Sequence, residues 1–298
     1  MSRLSIGLSL ALAASIALNA SYLMQHVASS GAPSIDIRRP LRTLGSLLSS
    51  RLWLSGGVLG LAGWAMSIIA MTKAPLSLVQ AFLVGGLAVF APIAVRLLGH
   101  RLSAAETAGI ALMILALFAL ILGRGRVGVH SHYHPWVLAT YLLLASSAGA
   151  ALLAVKRRGA QALGLAGGVL YGAADVAIKA LTGLAARHGV IAAALSPWLI
   201  AAAGASVGAF FCFQRGLQSG NAIPVIALMT AATNVVSILG GLIVFADPLG
   251  PSPTLVVIHA LAFAAIVAAA WLLAPAQAVS VSGPRDSLKH PIRPIAAR

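Results

Sequence analysis

Asp175 and Lys179 are the acid and base lying clearly within one apolar run of this sequence, Gly172-Ala173-Ala174-Asp175-Val176-Ala177-Ile178-Lys179. Spacing of i,i+4 puts both on one helical face, close enough to interact. A lone charge in a membrane interior costs a few kcal/mol or more, so mutual pairing is the natural expectation. That pair reads in two ways: a structural ion pair, or a substrate anchor or proton-coupled switch. Gly164, Gly168 and Gly172 repeat every fourth residue upstream, which would let another helix approach closely.

Other polar residues recur at helical spacing. Ser15, Asn19, Tyr22 and His26 form a stripe in the first apolar run, since about 100° per residue keeps such spacings on one side. Such a stripe holds helices together by hydrogen bonds or lines a cavity. Thr230, Thr233, Asn234 and Ser237 offer the same alternatives nearer the C-terminus, with Gly240 and Gly241 beyond. Trp64 stands mid-run as a candidate cavity wall, beside a seam of Gly56, Gly60, Gly63 and Ser67; Gln80 and Gln214 lie near run ends. The candidate substrate-binding set is therefore Asn19, Tyr22, Trp64, Gln80, Asp175, Lys179, Thr230 and Asn234, with no catalytic residue and no resident metal ligand. Pro92 and Pro224 can break helical hydrogen bonding and permit bending. His130, His132 and His134 alternate before Pro135, a spacing that can bind zinc, nickel or copper or simply form a solvated loop. No phosphate-binding loop or metalloprotease histidine pair is present, so no enzyme and no cofactor is expected.

These residues are carried by nine apolar runs near Leu4–Ala28, Trp53–Thr72, Leu76–Leu98, Ala104–Leu122, Trp136–Val155, Ala162–Ala185, Ile191–Phe213, Ala222–Ala246 and Thr254–Ala274. Each holds about 20 residues, enough at roughly 1.5 Å per residue to cross a hydrocarbon core of about 30 Å. Lipid forces a segment to satisfy its own backbone, so the runs predict helices. Hydrophobic residues make up 60% of 298 and charged ones 8%, which excludes an ordinary soluble domain. The net charge of +15 is spread among short connections and forms no basic face, arguing against nucleic acid. Cys212 is the single cysteine, so no intrachain disulfide can form. The first run imitates a secretory signal, yet it stays apolar through Val27 and further runs follow, so a retained helix is expected.

Lysine and arginine set the orientation. With the N-terminus outside, cytoplasmic segments carry Arg38, Arg39, Arg42, Arg51, Arg96, Arg101, Lys156, Arg157, Arg158, Arg215, Arg285, Lys289, Arg293 and Arg298, 14 of 20 basic residues. The other side carries Arg3, Lys73, Arg124, Arg126 and Arg187. Positive-inside bias thus predicts N-out and C-in, in a plasma or inner membrane. Residues 38–51 read either as a short helix along the cytoplasmic leaflet or as a solvated loop. The basic, proline-containing tail 275–298 reads as disordered.

The order of elements recurs, with Thr72-Lys73-Ala74-Pro75 answered by Ser219-Gly220-Asn221-Ala222 and Gly99-His100-Arg101-Leu102 by Ala246-Asp247-Pro248-Leu249. The first repeat would span 1–155, helices one to five, and the second 156–274, helices six to nine. Odd-numbered repeats insert with opposite orientation, a pattern of secondary transporters. The stretches Leu52-Trp53-Leu54, Ala74-Pro75-Leu76-Ser77-Leu78-Val79-Gln80, Leu97-Leu98-Gly99-His100-Arg101-Leu102-Ser103, Asn19-Ala20-Ser21-Tyr22-Leu23 and the Asp175 segment resemble the drug/metabolite transporter superfamily. Within it the chain is most similar to the NIPA-like magnesium-transporter group and its EamA-like relatives. The resemblance covers roughly residues 4–274 through loose apolar patterns. It implies an all-α membrane fold of two inverted five-helix halves, here 5 + 4, lacking the last helix.

The expected function is a transporter or permease moving a small solute by alternating access, with a small organic metabolite or drug-like compound ahead of Mg²⁺. The ranking rests on ligand supply. Mg²⁺ prefers oxygen ligands, whereas Asp175 alone supplies a carboxylate within the helices, and Lys179 would partly cancel it. A non-transporting membrane scaffold is the rival from another class. The solute and membrane lipid are the expected partners, nucleic acid is not, and a homodimer stays open.

Overall fold

The computed structural model describes residues 3–29, 50–97, 103–122, 132–154, 159–219 and 222–287. Within them every regular element is helical. In chain order these are α1 (Arg3–Ser29), α2 (Arg51–Lys73), α3 (Leu76–Leu97), α4 (Ala104–Ile121), α5 (Pro135–Ala154), α6 (Ala160–His188), the single-turn α7 (Val190–Ala194), α8 (Pro197–Ser219), α9 (Ala222–Val244) and α10 (Pro253–Ser287). By length and composition six can cross a membrane: Arg3–Ser21, Arg51–Lys73, Ala104–Ile121, Pro135–Ala154, Ala160–His188 and Pro253–Leu273. Shorter apolar stretches lie at Leu76–Val89, Pro197–Phe213 and Leu228–Val244. The chain is thus a helical protein of multi-pass membrane character.

Helix starts follow local chemistry. The Ser50 hydroxyl accepts from Trp53 N at 3.3 Å to open α2, and Ser103 and Glu106 form a reciprocal capping box on α4. Ser196 and Ser252 each accept from a backbone N–H at 3.3 Å, and each precedes a proline in the first helical position. That Ser196-Pro197 start divides the expected run Ile191–Phe213 into α7 and α8. At the other end of the chain, α10 continues past the expected boundary at Ala274 to Ser287. The basic segment 38–49, His130, Ser131 and residues 288–298 lie outside the described residues.

Packing is organised by close approaches. α1 lies against α2 and α3, and α6 against α8 and α9. Gly63 of α2 sits on Ala14 and Leu18, while Gly7 sits on Lys73 and Ala74, so α1 and α2 are antiparallel. Gly167 on Ala209 and Gly216 on Ala160 show the same antiparallel relation between α6 and α8. By contrast α6 and α9 run parallel. A Cβ at Gly164 would stand 2.6 Å from Val225 O, one at Gly168 2.8 Å from Ala232 Cβ, and one at Gly172 2.8 Å from Val236 Cγ1. The four-residue glycine repeat is thus a backbone-to-backbone seam, as its spacing suggested. α10 packs on α4, α9 and α3, and α3 also meets α9.

Large apolar side chains point outward in quantity. Leu115 is 68% exposed, Leu143 67% and Ile200 78%. Exposed apolar surface on this scale would aggregate in water and is satisfied by lipid. The polar residues are concentrated inside instead, among them Lys179, Ser237, Asn234, Gln80 and His259.

Candidate functional site

The centre of the polar interior is the turn between α2 and α3. An α-helical carbonyl normally accepts the N–H four residues on, but for Met71 that residue is Pro75, which has no N–H. Lys179, fully buried on α6, supplies the missing donor: its ammonium donates to Met71 O and, at 3.1 Å, to Ala74 O. The partial negative charge of the α2 C-terminus favours a cation there. Across the turn, Ser77 N at the start of α3 donates to Asp247 Oδ2 at 2.8 Å, where a carboxylate meets a helix N-terminus. Asp247 is also the negative charge acting on Lys179. The α2–α3 turn is therefore clamped between opposite charges from α6 and from the segment after α9.

This arrangement corrects the expected Asp175–Lys179 pair. Although the two share a helix face, no ion pair joins them among the described interactions, because the orphaned carbonyls and Asp247 claim the ammonium. Asp175 is held by neutral donors. Gln80 Nε2 of α3 and Ser237 Oγ of α9 both donate to its Oδ2, each at 2.9 Å. Asp175, Gln80 and Ser237 thus form one cluster contributed by α6, α3 and α9. Asn234 lies one turn before Ser237, 2% exposed, its Nδ2 donating to Thr230 O at 2.7 Å while its Oδ1 has no hydrogen-bond partner. The Ser77 hydroxyl, one turn before Gln80, is likewise buried without a partner.

The remaining expected residues are placed differently. Asn19 is buried on α1 and donates to Ser15 O at 2.8 Å, and Ser15 packs against Gly86 of α3. Trp64 is half exposed, separate from the buried cluster. Thr230 enters through its carbonyl. The side chains of Tyr22, His26 and Gln214 lie outside the described residues. His132 reaches Arg187 at 3.0 Å, and that guanidinium lies over the Tyr133 ring, which meets Trp198 and Phe245 edge to face. No group of three or more His, Cys, Asp or Glu capable of holding a metal occurs among the described residues.

Sequence reading passed over Asp247 and His259 as interior groups. His259 is fully buried in α10, with one ring nitrogen against Leu249 O and the other 3.1 Å from Leu122 O. Its place within the apolar run Thr254–Ala274 was the available signal. A separate groove of about 570 Å³ lies between α5, α6 and α9, lined by Trp136, Tyr141, Val169, Val236 and Ile243 among others. It is apolar and does not include Asp175, Gln80 or Ser237.

Chemically, the cluster brings a carboxylate, an amide and a hydroxyl together from three helices. No protein-family model, curated protein or solved structure matches this chain.

Proposed function

We propose that this protein is a secondary transporter or permease that moves a small organic solute by alternating access, with the Asp175–Gln80–Ser237 cluster as its binding site. The observation that carries the reading is that cluster: three helices distant in sequence each commit a polar group to one interior point. Polar groups there are costly and are commonly retained for function. In this reading nine helices span the membrane, with the N-terminus outside and the C-terminus cytoplasmic. The matching pairings of α1 with α2 and α3 and of α6 with α8 and α9 support an inverted repeat of the drug/metabolite-transporter kind. The resemblance to NIPA-like proteins makes Mg²⁺ the second candidate substrate.

The test is uptake into proteoliposomes across a panel of labelled organic solutes and Mg²⁺, with Asp175→Asn as control. Saturable uptake of an organic solute that falls at least tenfold in Asp175→Asn supports the reading. Saturable Mg²⁺ uptake with the same dependence would replace the substrate, and a tight barrier to every solute and to Mg²⁺ would refute transport.

A further inference from the structure

Building on the transporter reading, we infer that the solute carries a protonated amine, whose charge docks on Asp175 Oδ1 while a second donor group on the solute reaches Asn234 Oδ1. Among the described residues, the two hydrogen bonds to the Asp175 carboxylate both fall on Oδ2 and none falls on Oδ1, and Asp175 keeps part of its surface accessible. Its two partners are neutral.

The charged and titratable groups around the cluster are otherwise engaged. Lys179, one turn along α6, is bound to α2 carbonyls. Asp247, after α9, holds Ser77 N of α3. Tyr141 of α5 donates to Val236 O at 2.5 Å. Among the described residues, the carboxylate is thus the one charge in the cluster, and no cation is bonded to it.

The unfilled positions on Asp175 and Asn234 are acceptors. A carboxylate oxygen accepts only, and so does an amide oxygen. Asn234 Oδ1 is buried without a donor, a costly arrangement that a ligand N–H or O–H would relieve. An ammonium group brings one positive charge and several N–H donors and accepts nothing, which complements this set. A hydroxylated neutral solute would leave the carboxylate charge unmatched. A divalent cation such as Mg²⁺ takes about six oxygen ligands, and with so few supplied by these side chains it would have to keep most of its water.

The experiment separates binding from transport. Thermal unfolding of the purified full-length protein in detergent is followed with propylamine, 1-amino-3-propanol, 1-propanol, tetramethylammonium and MgCl₂. The two amines should stabilise the protein, with 1-amino-3-propanol the tighter binder, while 1-propanol should not; tetramethylammonium, lacking N–H, should be weaker. Asp175→Asn should weaken amine binding about thirtyfold or more, as expected when a buried charge loses its partner. Asn234→Leu, a second variant that leaves the carboxylate in place, should abolish the advantage of 1-amino-3-propanol over propylamine. Equal binding of propylamine and 1-propanol, or full amine binding in Asp175→Asn, overturns the inference. In proteoliposomes, uptake of neutral solutes independent of Asp175 would sink the amine assignment while leaving transport intact. Amine binding without uptake would sink transport while leaving the amine site standing.

Discussion

Replacing Lys179 with methionine keeps the length and apolar stem of the side chain and removes its ammonium. Two carbonyl oxygens, Met71 O and Ala74 O, then lose a donor, and Met71 O has no alternative within its helix because Pro75 follows. Each orphaned buried acceptor costs about 1–3 kcal/mol. Asp247 also loses a nearby positive charge that offsets its own, which adds to the cost. Since net stabilities of about 5–15 kcal/mol are usual, Lys179→Met should lose most of its folded yield. The informative measurement is a pair of double-mutant cycles read by monodisperse yield and thermal unfolding in detergent. Lys179→Met with Asp247→Asn should recover part of the loss, because the charges vanish together while the carbonyls stay orphaned. Lys179→Met with Asp175→Asn should recover none. If the Asp175 cycle shows coupling above about 0.5 kcal/mol and the Asp247 cycle shows none, the assignment of partners is wrong.

Other outcomes follow from the same geometry. Gly168→Val should cost about 1–3 kcal/mol by wedging α6 from α9, seen as lower thermal stability; an unchanged protein would deny the seam. Ala246 adopts φ 51° at the end of α9, so Ala246→Gly should stabilise by roughly 1 kcal/mol, raising the unfolding temperature, whereas a lower one would contradict that. A cysteine placed at Ser131 in a Cys212→Ser background should react with an impermeant reagent from outside intact cells. Reaction only after permeabilisation would invert the proposed orientation.

Sequence periodicity carried the helices, because lipid-length apolar runs leave the backbone no other choice. The Gly164–Gly168–Gly172 seam was legible for the same reason: a repeat of small residues says that something comes close, though not that the partner is α9. Gln80, Asp175 and Asn234 were visible as polar groups in apolar surroundings. The partner of Lys179 was not visible, since its contacts lie more than a hundred residues away in sequence. Yet a hint was present in Pro75, which strips a donor from Met71 and so calls for one from elsewhere. Asp247 escaped notice because a short Asp-Pro turn reads as solvent-facing until the fold buries it.

The glycine seam has a mechanical consequence. With backbones in contact over about two turns, α6 and α9 cannot slide or rotate apart without vacating a close-packed interface, so they are expected to move as one body. The Asp175–Ser237 bond lies inside that body and should persist through any rearrangement. The Gln80–Asp175 bond instead joins the body to α3, and the clamp on the α2–α3 turn crosses the same boundary. Under the alternating access proposed above, opening the interior would shear α3 along the fused pair, with Gln80 as the latch that lets go.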